Sequence, residues 1–160
     1  MSDFSETWSL VRGRLIRDLE GLTHEQLNWR LHPGVLTIAE LAVHVAGVEV
    51  SFGSQLTGLE LDDLHLRLKA AATDGSLNDK PFPFSPDELT PEFVTKAFEL
   101  GNAIIQPLIE NPTPEIRAVQ IVSALGPVID GTGAFARLAY HPGYHQGQVY
   151  IIKTAPGFPS

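Results

Sequence analysis

The stretch that decides the fold of this chain is TIAELAVHVAGVEVSFGSQL, residues 37–56. Thr37 and Glu40 have the spacing of a capping box, in which each side chain binds the backbone N–H of the other residue at the start of a helix. The glycine at position 58 is a typical helix stop. The pattern therefore predicts a helix from about Ile38 to Leu56, ended by Gly58.

Three further segments carry the apolar period of an amphipathic helix. They run from about Asp3 to Glu20, from Thr90-Pro91 to Asn111-Pro112, and from about Gly133 to Lys153. Four such segments with little convincing strand predict an all-α fold, a four-helix bundle. The long connection from Leu59 to Thr90 predicts crossover connections instead of a simple up-and-down order. Because 160 residues is the length of one domain, we expect a single bundle domain over residues 1–160.

Shorter elements are expected inside the connections. Thr23 and Gln26 have capping-box spacing and predict one short helical turn. A short helix is predicted within residues 61–72, ended by Gly75. The segment from Arg117 to Val122 is rich in β-branched residues and is predicted to be extended.

Composition excludes several classes of function. The chain has no cysteine, which excludes disulfides, thiolate metal ligands and a cysteine nucleophile and is typical of a reducing cytoplasm. The formal net charge is -8, from 11 Lys+Arg against 19 Asp+Glu, and no basic stripe is present, so nucleic-acid binding is disfavoured. The acidic, polar start is unlike a secretory signal, and no apolar run approaches the length of a membrane span. We therefore expect a cytoplasmic protein without a membrane or nucleic-acid partner.

Three histidines are the best candidates for function. His141 and His145 stand one turn apart in the last helix, near its apolar side. His44 is the one polar residue on a face of the second helix whose other members are Leu41, Val45, Val48 and Phe52. Two imidazoles one turn apart, joined by a third from a neighbouring helix, can hold a metal ion and leave coordination positions open. The alternative is a pair of histidines hydrogen-bonded on a helix face.

Three neutral imidazoles limit the metal ions that could bind here, but they do not identify one of them. Such a donor set suits Zn²⁺, Ni²⁺, Co²⁺ or Fe²⁺. An ion with open positions can ionise a water or bind a thiol as thiolate near neutral pH. A small-molecule substrate is therefore expected at this site.

Two polar residues are candidate catalytic residues beside the metal. Gln148 lies one turn beyond His145, where it could orient a ligand or bind substrate, although a hydrogen bond between helices would explain it equally well. Glu40 could accept a ring N–H from His44. Its position also explains it as a helix cap.

The remaining polar candidates are given structural interpretations. Arg12 lies at the edge of the apolar stripe of the first helix and is expected to extend its charged end to solvent, as long basic side chains do. Tyr144 points away from the two C-terminal histidines and is expected to pack. Surface positions are expected for His24, His32 and His65. A serine hydrolase is not supported, because the chain has no Gly-x-Ser-x-Gly motif.

Pro142 and Gly143 interrupt the last helix between its two histidines. Proline in a helix interior costs about 3 kcal/mol and glycine about 1 kcal/mol. We expect the helix either to kink here or to restart with Pro142 in its first turn. Gly143 could also serve close packing between helices.

Three pieces of the sequence match a known pattern in order and spacing. They are Leu27-Asn-Trp-Arg30 with Pro33-Gly34, Thr37-Ile-Ala-Glu-Leu-Ala-Val-His44, and His141-Pro-Gly-Tyr-His-Gln-Gly-Gln148. On these pieces the chain resembles the DinB/YfiT-like superfamily of small bacterial metalloproteins. The resemblance implies a four-helix bundle with crossover connections, often dimeric, with His44, His141 and His145 as metal ligands. Pro142 departs from the helix-forming residue that is usual after the first C-terminal ligand.

The resemblance also suggests the activity. Members with an assigned activity are metal-dependent thiol transferases or isomerases that use low-molecular-weight thiols, and others are labelled hydrolases. Our leading hypothesis is a transferase in which a thiol cosubstrate at the metal attacks an electrophile, since the chain has no cysteine of its own. The alternatives are a metal-dependent hydrolase at the same site and a non-catalytic metal-binding stress or sensor protein. A homodimer is expected from the resemblance.

Overall fold

Helices make up most of this structure, a computed structural model that describes residues 4–160. In chain order they are α1 (Ser5–Leu19), α2 (His24–Asn28), α3 (Ile38–Thr57), α4 (Asp63–Ala71), α5 (Pro91–Glu110), α6 (Pro114–Ala118) and α7 (Gly131–Lys153). Two short strands, β1 (Gln120–Val122) and β2 (Val128–Asp130), form an antiparallel hairpin before α7. The prediction of a mainly helical chain is confirmed. The predicted start of the first helix at Asp3 lies outside the described residues.

Helix α3 lies at the centre of the structure. It packs against α5, α7 and α4, while α1 packs against α7. Nearly every residue of α3 is buried, as expected of a helix that is apolar almost all round. Helix α3, which carries His44, is therefore in contact with α4, α5 and α7.

Local sequence signals set the ends of α3 as predicted. Glu40 N–H donates to Thr37 Oγ1 at 3.2 Å, and Thr37 N–H donates to the Glu40 carboxylate at 2.7 Å, which completes the capping box. At the other end Gly58 adopts a φ of 71°, a left-handed conformation that glycine takes without strain. The helix therefore covers the predicted residues to within one position.

Helix α4 is held close to α3 by a glycine. A Cβ atom on Gly47 would lie 2.2 Å from the backbone oxygen of Leu68, so no larger residue fits there without moving α4. This contact brings the C-terminal end of α4, including Ala71, beside the middle of α3. The short helix predicted within residues 61–72 is thus present and has a defined place.

Arg12 corrects one prediction, because its charged end does not extend to solvent. The side chain is buried, with Nε 2.7 Å from Glu49 Oε1 and Nη2 3.2 Å from Glu49 Oε2. Trp8 Nε1–H also donates to Glu49, at 3.2 Å. Burial raises the pKa of Glu49, and the Arg12 guanidinium opposes that rise. A buried ion pair between α1 and α3 therefore takes the place of the expected surface arginine.

The segment before α7 also differs from the sequence prediction. Residues 117 and 118 belong to α6, whose start is capped by Thr113, and only Gln120–Val122 is extended. Helix α7 begins at Gly131, two residues earlier than expected, because Asp130 Oδ1 accepts the N–H of Gly133 at 2.7 Å. A Cβ on Gly131 would lie 2.0 Å from the Ile116 oxygen, so close packing against α6 requires glycine there.

Along residues 4–160, no helix combines the length and the apolar character needed to cross a bilayer.

Candidate metal centre

Three imidazole rings converge between α3 and α7. His44 Nε2 lies 3.1 Å from His141 Nε2, and His145 Nε2 lies 2.9 Å from the same His141 atom. The ligand atoms of all three histidines lie within 4.8 Å of one another. The predicted convergence of His44 on the C-terminal pair is therefore present in the structure.

Outer hydrogen bonds fix the direction of two of the rings. His44 Nδ1 lies 2.9 Å from the backbone oxygen of Ala71 on α4, and His145 Nδ1 lies 2.6 Å from Gln148 Oε1. Both partners are oxygen acceptors, so each Nδ1 carries the hydrogen and donates it. The neutral rings of His44 and His145 therefore present Nε2 lone pairs to the centre of the cluster.

This donor set fits a divalent cation better than hydrogen bonds among the rings. A single His141 Nε2 faces both other Nε2 atoms, and one ring nitrogen can form only one good hydrogen bond. Two imidazole nitrogens about 2.0–2.1 Å from one ion would be roughly 2.8–3.4 Å apart for bond angles near 90–110°. The observed separations of 2.9 and 3.1 Å lie within that range. Three histidines so arranged could hold one metal ion.

Burial keeps the three rings neutral. It is the main cause that lowers the pKa of His44, opposed by the Ala71 carbonyl. The pKa of His141 is lowered well below its usual value by burial and by the neighbouring His145 and His44. Burial, together with His44, lowers the pKa of His145 to about 4, against the effect of Gln148. At neutral pH all three side chains therefore offer lone pairs without first losing a proton.

A cavity of about 580 Å³ opens beside the rings. Its apolar wall includes Leu41, Val48 and Phe52 from α3, and the turn of the β-hairpin borders it. This volume is in the range of small-molecule sites, and a mostly apolar lining with a few polar groups is usual for them. A larger cleft of about 750 Å³ between α1 and α5 includes no histidine in its lining. The metal-ligand geometry therefore makes the smaller cavity the candidate site.

Helix α7 presents one continuous face to this cavity. The lining residues it supplies are Arg137, Tyr140, His141, Tyr144, His145 and Gln148. Their spacing of i, i+3, i+4, i+7, i+8 and i+11 places them on one side of a helix. Arg137 and Tyr140 were not predicted as site residues, although this spacing relates them to the two histidines of α7.

Tyr144 corrects a further prediction. It was expected to point away from the two C-terminal histidines and pack, but the residue is 51% exposed and lines the cavity. Its ring centroid lies 5.0 Å from that of His145 and 6.0 Å from that of Tyr140. The two tyrosines therefore form an aromatic rim beside the histidine cluster.

The two candidate catalytic residues have different surroundings. Gln148 contacts His145 directly, which is the orienting arrangement and not a hydrogen bond between helices. Glu40 does not accept from His44, whose Nδ1 is already bound to Ala71. Its carboxylate instead caps α3 and lies 2.8 Å from Arg30 Nη2. Of the two interpretations of Glu40, the structure therefore has the helix cap, and the Ala71 carbonyl is the partner of the His44 ring.

Pro142 neither ends α7 nor restarts it. The helix is continuous through Pro142 and Gly143, and His141 points into the cluster. A Cβ on Gly143 would lie 3.4 Å from Val11 Cγ1, so this glycine lies against α1 on the side away from the cavity.

The remaining histidines lie apart from the cluster. His24 and His32 are exposed, as predicted. His65 is half-buried, with Nδ1 2.7 Å from Asp62 Oδ1.

Comparison with models of known protein families finds no match, and a search of curated proteins finds none.

Proposed function

We propose that this chain is a divalent-metal-binding protein that activates a low-molecular-weight thiol for transfer to an electrophile. The observation that carries the proposal is the convergence of the Nε2 atoms of His44, His141 and His145 beside a small-molecule cavity. The order of helices and the histidine motif support membership of the DinB/YfiT-like superfamily, with its four-helix bundle and crossover connections. A homodimer, a small-molecule substrate and a cytoplasmic location belong to the same proposal.

In the proposed reaction, a bound ion and the surrounding residues of the chain have different roles. A bound ion would supply the Lewis acidity that lets a thiol lose its proton near neutral pH. His44 is oriented by Ala71 and His145 by Gln148, so two rings are fixed before an ion arrives. The apolar side chains of α3 limit water on one side of the cavity. The sulfur must come from a cosubstrate, because the chain has no cysteine.

The lining of the cavity favours a thiol over water as nucleophile. None of the lining residues in the described part of the chain is an aspartate or a glutamate. A hydrolase commonly uses such a carboxylate as general base beside its metal. A thiol bound at a metal is deprotonated without that help.

Metal binding is the first test. Zinc, nickel, cobalt and iron are titrated into the metal-free protein, with elemental analysis of the protein as purified. We expect one ion per chain, and a loss of affinity in His145→Ala larger than the 10–100-fold that follows removal of an outer partner. His32→Ala is the matched control, because His32 is exposed and lies outside the cluster. Equal metal binding by His145→Ala and wild type would refute the site.

Turnover is the second test. The metal-loaded protein is assayed against bacterial low-molecular-weight thiols paired with electrophiles, with and without the thiol. We expect conjugation that requires both thiol and metal and is lost in His44→Ala. Hydrolysis without thiol would instead support the metal-dependent hydrolase. No turnover, with only a lower melting temperature in His44→Ala, would support a stability or sensing role.

A further inference from the structure

Arg137 lies in the wall of the histidine cavity, one helical turn before His141. Four residues of α-helix rise about 6 Å, so Arg137, His141 and His145 follow one another along the same side of α7. The arginine therefore faces the same space as the proposed metal.

The charge of Arg137 has no counterpart in the cavity. None of the lining residues, all within the described range, is acidic. In contrast, Arg12, Arg30 and Arg67 are each paired with a glutamate. Arg137 is thus a permanent cation in a small-molecule cavity of a chain whose net charge is -8.

A hydrogen bond holds the Arg137 guanidinium at this wall. Arg137 Nη1 donates to Ser123 Oγ in the turn of the β-hairpin, and Ser123 is buried. That is the one side-chain hydrogen bond that Arg137 makes to residues 4–160. Its remaining N–H donors are available to a ligand, and a guanidinium presents such donors in a fork that matches a carboxylate.

We propose that the substrate or cosubstrate at this site carries a carboxylate that binds Arg137 while its other end reaches the histidine cluster. This inference rests on the proposed function, because it takes the three histidines as the second point of attachment. Arg137 then determines specificity through the anionic group of the ligand.

The walls of the cavity indicate the polarity and length of the part of the ligand that lies between its carboxylate and its metal-binding group. Leu41, Val48, Phe52 and Leu77 line the space with apolar side chains, and the Tyr140 and Tyr144 rings stand at the rim. A ligand with a short apolar body therefore fits, with one metal-binding group and one carboxylate. The rise of about 6 Å from residue 137 to residue 141 favours a body of a few carbons.

The test uses probes that bind a metal without a thiol. The cobalt-loaded protein is titrated with the monohydroxamates of succinic, glutaric and adipic acid, and with the neutral amides of the same three compounds. Affinity is read from the visible absorption of cobalt. For at least one chain length, we expect wild type to bind the acid at least about tenfold more tightly than the amide, as a charge-assisted hydrogen bond provides.

Variants of Arg137 test whether the preference for the acid over the amide depends on its guanidinium group. In Arg137→Gln we expect acid and amide to bind within about twofold of each other, with the affinity for the amide unchanged. Arg137→Lys keeps the positive charge but lacks the paired N–H donors of the guanidinium, so we expect it to keep part of the preference. Arg14→Gln is the matched control, because it removes the same charge from an exposed position on α1 and is expected to keep the full preference.

The outcomes separate this inference from the proposed function. If cobalt binds and wild type shows no preference for any of the three acids, the role of Arg137 is refuted while the metal site stands. A preference that survives in Arg137→Gln refutes the assignment in the same way. If no cobalt binds, the proposed metal site is refuted, and this inference is refuted as well because it depends on that site. The preference of wild type needs no variant, so a folding defect in Arg137→Gln does not remove the test.

Discussion

Replacing Gln148 with leucine should weaken metal binding without removing any metal ligand. Gln148 Oε1 lies 2.6 Å from His145 Nδ1, and Gln148 Nε2 lies 3.4 Å from the Tyr144 hydroxyl. The amide is therefore held with its oxygen toward the histidine. Leucine has a similar size but cannot accept a hydrogen bond, so His145 loses the contact that keeps the hydrogen on Nδ1 and the lone pair on Nε2.

The expected effect follows from that single hydrogen bond. Loss of an outer partner of a metal-binding histidine costs about 10–100-fold in metal affinity. This corresponds to about 1.4–2.8 kcal/mol of binding free energy. Gln148→Glu keeps an oxygen acceptor at the same place and should bind zinc at least as tightly as wild type.

The assay is a competition titration of zinc against a chromogenic chelator, with the melting temperature of each metal-free variant measured in parallel. Gln146→Leu is the matched control, because Gln146 lies on the same helix and Nε2 donates to Asp18 Oδ2 at 2.7 Å, away from the cluster. Gln146→Leu should lose some stability and keep its zinc affinity. Zinc affinity in Gln148→Leu within about twofold of wild type would refute the orienting role.

Three further predictions concern stability. At a free zinc concentration 100 times the Kd, binding should add about 2.7 kcal/mol and raise the melting temperature by roughly 5–11 °C, and calorimetry of His44→Ala should show no such rise. Glu49→Ala should lower the free energy of unfolding by about 3–5 kcal/mol in urea titrations, because Arg12 stays buried without its carboxylate; a loss below 1 kcal/mol would contradict this. Gly47→Ala should cost about 1–3 kcal/mol in the same titrations, since its Cβ would overlap the Leu68 oxygen, and unchanged stability would show that α4 moves freely.

The parts of the fold that were predicted correctly depend on signals within a few residues. The capping box at Thr37 and the left-handed Gly58 are local, so the predicted ends of α3 needed no knowledge of the rest of the chain. The same holds for α5, which begins at Pro91 after its Thr90 cap, as expected. Helix α7 was placed two residues late because the capping role of Asp130, whose Oδ1 accepts the N–H of Gly133, was not recognised in the sequence.

The candidate site was predictable to the extent that its residues share one helix. The spacing of His141 and His145 fixes their proximity, and the apolar face around His44 pointed that ring toward the core. Glu40 was considered both as the acceptor for His44 and as a helix cap, and the structure has the cap. The actual partner of His44 could not be identified from the sequence, because it is a backbone carbonyl and every residue carries one. The choice of Ala71 depends on how closely α4 approaches Gly47, which is a tertiary contact.

Pro142 and Gly143 show how tertiary packing can place candidate metal ligands on a segment with poor intrinsic helicity. Proline removes a backbone donor and glycine adds flexibility, so residues 141–145 would gain little from helix propensity alone. In the folded chain Pro142 is buried and Gly143 lies against Val11 of α1, while the histidines on the opposite side face α3. The contact between α1 and α7 therefore offsets the cost of the two helix breakers and keeps His141 and His145 one turn apart. It follows that the geometry of the cluster depends on α1, although α1 contributes no ligand to it.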